Sequence, residues 1–175
     1  MSWCSRALLV GAALALGGCG FHPLYASHAR SGFDADLASI KVNTIADRQG
    51  QLLAIALRDA LNPRGARVET RYTLDVLLTA SHQDIGLRPD GTASRSEISM
   101  TANFVLREAK KPAEGSVVLQ GTTHSVSSYD VLNDNYATVV ARHNAEERNV
   151  HEIGDDILTR LELYVSKHRA APAAS

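Results

Sequence analysis

Two stretches of this chain alternate apolar and polar residues with almost no break, and they limit the fold more than anything else in it. Tyr72, Leu74, Val76 and Leu78 fall on one side of the first, with Thr73, Asp75 and Thr79 opposite. Ile98, Met100, Ala102, Phe104 and Leu106 line one side of the second, against Glu97, Ser99, Thr101, Asn103 and Arg107. A period of two sends successive side chains to opposite faces of a sheet. Both runs are therefore strands with one wet face and one apolar face that needs cover, the pattern of antiparallel rather than parallel sheets. Gly86, Pro89, Asp90 and Gly91 supply a hairpin turn between them. Lys111-Pro-Ala-Glu-Gly115 makes the next turn, and the Val-, Thr- and Ser-rich run Val117–Ser128 follows as another strand. Its alternation is weaker.

The cover comes from two segments with helical spacing. Leu53, Leu57, Ala60 and Leu61 share one side of a helix of about three turns, with Asp47 placed to cap it and Asn62-Pro63-Arg64-Gly65 to stop it. From Asn133 to His168, the residues Tyr136, Val140, His143, Glu147, Val150, Gly154, Ile157, Leu161, Tyr164 and His168 recur at steps of four and three. This predicts a helix about 50 Å long, with a weak point at Gly154 and a polar middle near His143 that faces water. Leu37–Ile45 alternates and reads as a first strand. The expected fold is α+β: a two-layer sandwich in which two helices cover a four-stranded, largely antiparallel sheet, in the order β-α-β-β-β-α.

Composition narrows the function classes. The 175 residues hold 18 Lys+Arg against 19 Asp+Glu, a balance that excludes a strongly basic nucleic-acid surface. Aromatics at 5% leave little for base-stacking. Cys4 and Cys19 allow one disulfide at most.

The N-terminus sets the compartment. Arg6 precedes a ten-residue apolar run, Ala7–Leu16, and then Gly17-Gly18-Cys19. The run is half the length that spans a bilayer and has the length of a secretory h-region. Leu16-Gly17-Gly18-Cys19 resembles the bacterial lipobox: small residues fit the protease, and the cysteine thiol takes the diacylglyceryl group. Residues 1–18 are thus expected as a lipoprotein signal peptide. Residues 19–36 follow as the lipidated N-terminus and tether, 37–168 as one domain, and 169–175 as a disordered tail. Gly20, in place of an aspartate, favours the outer membrane.

Candidate chemistry is sparse. His151-Glu-Ile-Gly-Asp155 falls short of H-E-x-x-H because the second histidine is missing. No P-loop, dinucleotide fingerprint or nucleophile elbow is present. Arg88 and Arg95 flank the hairpin turn, and their guanidinium forks suit phosphate groups such as those of lipopolysaccharide. Thr122, Thr123, Ser125, Ser127 and Ser128 could present a hydroxyl-rich face to a glycan or a partner.

Several short segments, in this order and spacing, resemble the lipopolysaccharide-assembly lipoprotein family, LptE, in its alphaproteobacterial form. They are Cys19-Gly-Phe-His-Pro-Leu-Tyr25, Ile45-Ala-Asp-Arg-Gln-Gly-Gln51, Arg71-Tyr-Thr-Leu-Asp-Val76 and Asp90-Gly-Thr-Ala-Ser-Arg95, followed by Ser128-Tyr-Asp-Val-Leu-Asn-Asp-Asn-Tyr-Ala137 and Asn144-Ala-Glu-Glu-Arg148. The resemblance implies a non-enzymatic protein without cofactor or metal. It implies a lipid anchor on Cys19 in the periplasmic leaflet of the outer membrane, and a role as plug and assembly partner of the β-barrel LptD in delivering lipopolysaccharide. Two other readings stay open: an auxiliary lipoprotein of an ABC-type lipid transporter, and a periplasmic hydrolase using His151.

Overall fold

In the computed structural model of the protein, residues 27–87, 89, 91, 93–110 and 117–170 are described. The chain divides into two units, 1–31 and 32–175, and the sheet and its helical cover belong to the second. The elements are α1 (Ser27–Ala38), β1 (Ile40–Val42), α2 (Asp47–Leu61), β2 (Tyr72–Leu87), β3 (Ala93–Glu108), β4 (Val117–Asp130) and α3 (Asn135–Ala170). The sheet runs in the order β1-β2-β3-β4. β1 is parallel to β2, and the other pairings are antiparallel.

The α+β class and the sheet agree with the sequence reading, but the helix count does not. Three helices stand among the described residues, in the order α-β-α-β-β-β-α. The additional one, α1, covers residues expected as tether and as the start of the first strand. Its sequence, SHARSGFDADLA, carries only Phe33 and Leu37 as large apolar residues. They stand four apart and so share a side, a pattern too thin to separate from a polar linker. Leu37 is buried in the last turn of α1, and β1 keeps only three of the nine residues expected for the strand.

The meander is longer than its alternation indicated. β2 and β3 each run for 16 residues, paired from Tyr72↔Glu108 to Leu87↔Ala93, with a bulge around Gly86. Gly91 takes a left-handed φ of 81° in the turn, a conformation open to glycine. β1 pairs only with Tyr72–Leu74. Beyond Leu74 the outer edge of β2 has no neighbouring strand among the described residues, and the outer edge of β4 has none either.

The core lies on one side of the sheet. Leu74 of β2 and Ile98, Met100, Ala102, Phe104 and Leu106 of β3 are fully buried there. Leu53, Ala54, Leu57 and Leu61 of α2 meet them, with Val150, Ile153, Ile157, Leu161 and Val165 of α3. Asp47 opens α2 without capping it: the N-cap is Ala46, and Asp47 sits at a φ of 66°. Ala60, expected on the apolar side, is exposed.

α3 corrects two expectations. It is continuous through Gly154, which is buried and lies 3.6 Å, measured from an added Cβ, from Leu53 Cδ1. The glycine lies inside the helix where α3 packs on α2 at ordinary contact distance, and it does not interrupt the helix. The polar middle is divided: Glu147 is exposed and His143 half-buried, whereas Ala145, Glu146 and Asn149 are buried. The exposed part is the first two turns, where Tyr136 is 77% exposed, because β4 ends at Asp130 and gives those turns nothing to lie on.

Candidate functional site

Among the described residues the sheet has helices on one face only, and its other face presents mostly polar side chains. β2 contributes Thr79, Ser81 and Gln83, β3 Ser99, Thr101 and Asn103, and β4 Gln120, Thr122 and His124. Thr122 Oγ1 donates to Asn103 Oδ1 at 2.7 Å across two strands. Leu77 and Val126 are exposed apolar exceptions, and Ile85, Leu87 and Val117 are exposed towards the strand ends. Such a face is rich in donors and acceptors and poor in apolar area.

The hydroxyl-rich face expected on the fourth strand is divided in two by the pleat. Thr122 and Ser128 lie on the open face. Thr123, Ser125 and Ser127 point inward and are buried under α3. There Ser125 Oγ stands 2.9 Å from Asn149 Oδ1 and 2.5 Å from Glu152 Oε2, and Asn149 Nδ2 donates to the carbonyl of Ile98 at 2.9 Å. These residues hold α3 to the sheet and offer nothing to an outside ligand. Period two separates 123, 125 and 127 from 122 and 128 in the sequence, but the pairing with β3 decides which set faces inward.

Of the residues singled out beforehand, Cys19 and Arg88 lie outside the described residues. Arg95 stands on β3 beside the hairpin turn, on the open face. Its Nε is 3.7 Å from Asp130 Oδ1, with both side chains more than half exposed. So open and long an ion pair contributes little to stability and leaves the guanidinium accessible. His151 and Asp155 are both exposed on α3. Among the described residues no group of three His, Cys, Asp or Glu side chains could hold a metal ion.

One pocket, of about 230 Å³, was not foreseen. Asp36, Arg71, Tyr72, Tyr164, Val165 and His168 line it, where α1, the start of β2 and the end of α3 meet. Tyr72 and Tyr164 meet edge to face, with ring centroids 6.0 Å apart, and His168 stacks on Tyr164 at 4.0 Å. Arg71 Nη1 lies 3.0 Å from Asp36 Oδ1. Burial pushes the Tyr164 hydroxyl up to about 12, with Tyr72 and the Glu108 carboxylate adding to it. The ring therefore stays neutral and keeps its proton at any physiological pH. Sequence reasoning missed the pocket because it joins residues from three separated segments.

No helix among the described residues is long and apolar enough to cross a membrane. No curated protein sequence matches the chain. Solved structures do. The "putative lipoprotein" of Caulobacter crescentus CB15 is 29% identical, with a TM-score of 0.61 over 78% of this chain and 98% of that one. The rare lipoprotein B of Shewanella oneidensis, 12% identical, has a TM-score of 0.54 over 74% of this chain and 98% of that one. A minor lipoprotein of Acinetobacter baumannii, 15% identical, gives 0.53 over 71% and 91%. The last two share the fold alone. The profile of the lipopolysaccharide-assembly family, LptE, matches residues 37–161, which include β1 to β4, α2 and most of α3. This chain belongs to the LptE family and is a non-enzymatic outer-membrane lipoprotein of lipopolysaccharide-related assembly.

Proposed function

We propose that this protein, as an alphaproteobacterial LptE, is the lipid-anchored plug and assembly partner of the β-barrel LptD, in the translocon that delivers lipopolysaccharide to the outer leaflet. Cys19 carries the acyl chains and holds the protein in the periplasmic leaflet. The observation that carries the reading is the one-sided sheet. A barrel lumen is polar and wet, and a guest within it needs an outer surface of hydrogen-bonding groups. The open face of β2, β3 and β4 offers such groups in rows.

The sheet edges support the same reading. An open strand edge invites pairing with other chains and is usually covered or blunted. β2 from Asp75 onward and the outer side of β4 lack a neighbouring strand among the described residues. Seating inside a barrel would shield both. At the hairpin end, Arg95 and Arg88 are the cations proposed to meet lipopolysaccharide phosphates, Arg95 being exposed and only loosely tied to Asp130.

The deciding experiment is affinity purification of the tagged protein from detergent-solubilised outer membrane. A large β-barrel is expected to co-purify in equal amount, and depletion of the protein is expected to lower surface lipopolysaccharide. A preparation without a barrel partner would overturn the plug. A Cys19→Ser chain that still matures and reaches the outer membrane normally would overturn the anchor.

A further inference from the structure

The pocket at the foot of the sheet combines two kinds of recognition group that rarely share so small a space. Arg71 is 60% exposed, with a planar fork that suits a phosphate, and Asp36 beside it supplies a carboxylate. Tyr72 and Tyr164 stand at right angles and wall the pocket beside them. His168 Nδ1 donates to the carbonyl of Tyr164 at 2.9 Å, which leaves Nε2, the acceptor nitrogen of that tautomer, for an outside donor. A ligand that satisfies these groups carries a phosphate and a primary amine a few ångströms apart.

The surroundings identify where such a ligand would come from. The pocket lies at the end of the sheet where β2 begins and β3 and α3 finish. Arg64 and Lys110, in the loops before β2 and after β3, are about four-fifths exposed, each loosely paired with an exposed acid, Asp34 at 3.7 Å and Glu69 at 3.2 Å. Lys167, in the last turn of α3, is exposed as well. Exposed cations beside tyrosines suit a lipid headgroup layer.

We infer that the pocket formed by Asp36, Arg71, Tyr72, Tyr164 and His168 binds the phosphoethanolamine headgroup of a phospholipid, Arg71 taking the phosphate and Asp36 with His168 Nε2 taking the ammonium. The lipid-bound form of this inference rests on the anchored reading above; the headgroup site itself does not. The pocket end then lies against the leaflet, and the hairpin with Arg95 points away from it.

The test uses the full lipoprotein with labelled tyrosine rings, followed by NMR. In detergent, O-phosphoethanolamine is expected to shift the Tyr72 and Tyr164 ring signals saturably, with inorganic phosphate and ethanolamine each at least tenfold weaker. Arg71→Gln is expected to weaken binding at least tenfold. His168→Ala, in the exposed last turn of α3, tests the same site without touching the Arg71–Asp36 pair and is expected to weaken it severalfold. In nanodiscs, phosphatidylethanolamine is expected to reproduce the shifts and phosphatidylglycerol, which has no amine, is not. Absence of a saturable shift with O-phosphoethanolamine, or equal binding of inorganic phosphate, would overturn the site. Binding of soluble O-phosphoethanolamine with identical signals in the two nanodiscs would overturn the lipid as its source. Labelled palmitate on Cys19 reports the anchor separately, so a lipidated protein that fails to bind counts against the pocket alone.

Discussion

Asn149 of α3 donates its side-chain amide to the main-chain carbonyl of Ile98, a residue of the central strand β3, at 2.9 Å and out of reach of water. The amide oxygen of the same side chain faces Ser125 Oγ on β4 at 2.9 Å. One asparagine thus ties the long helix to two strands. Replacing it takes a donor from the buried Ile98 carbonyl, leaves Ser125 with Glu152 alone and opens a cavity where the amide stood. Asn149→Ala is expected to destabilise the fold by about 2–4 kcal/mol, read as a lower urea midpoint with an unchanged slope.

Two glycines are expected to respond with opposite signs. A Cβ at Gly121 would stand 2.8 Å from Phe104 Cζ and 3.2 Å from Arg160 Nη1. Phe104 is locked in the core and Arg160 lies over its ring at 5.9 Å. Gly121→Ala is expected to cost about 1–3 kcal/mol. At Gly154 the added carbon meets only Leu53 Cδ1, at 3.6 Å, an ordinary contact inside a helix. Gly154→Ala is expected to gain about 0.5–1 kcal/mol. Thermal denaturation of the two variants side by side checks both.

The alkaline limb of stability is expected to carry the mark of Tyr164. Its pKa rises from 10.0 to about 12 on folding, chiefly through burial. The unfolded chain therefore loses this proton first. The contribution of the neutral ring is complete below pH 10 and is lost between about 10 and 12. Tyrosinate absorbance is expected to show one ring titrating late, and Tyr164→Phe to remove that late step and flatten the fall in stability over the same range.

Charge reversal at the hairpin separates binding from folding. Arg95→Glu breaks only a long, exposed contact with Asp130, so stability is expected to change by no more than about 0.5 kcal/mol. Combined with Arg88→Glu, it is expected to reduce lipopolysaccharide capture by the purified protein at least tenfold. Unchanged capture would remove both arginines from the proposed contact.

Much of this protein could be read before any fold was in view. The alternation through Tyr72–Leu78 and Ile98–Leu106 was enough to name two half-buried strands, since only one register puts those residues on a common side. The 3.6-residue spacing of Leu53, Leu57 and Leu61, and of Val150, Ile157 and Leu161, announced the cover. The lipobox carried the expected anchor site, and the ordered short segments carried the family. Local chemistry decides such features, because each depends on neighbours a few positions away.

Other features were decided by long-range contact. α1 is a helix although its own sequence is a weak one; its apolar pair, Phe33 and Leu37, gains from packing on a core assembled elsewhere. Whether a serine of β4 faces water or Asn149 follows from where α3 comes to rest. The pocket unites Asp36, Tyr72 and Tyr164 across more than 120 residues of chain. Period and propensity act over a turn or two, whereas burial and partnership exist only once distant segments have met.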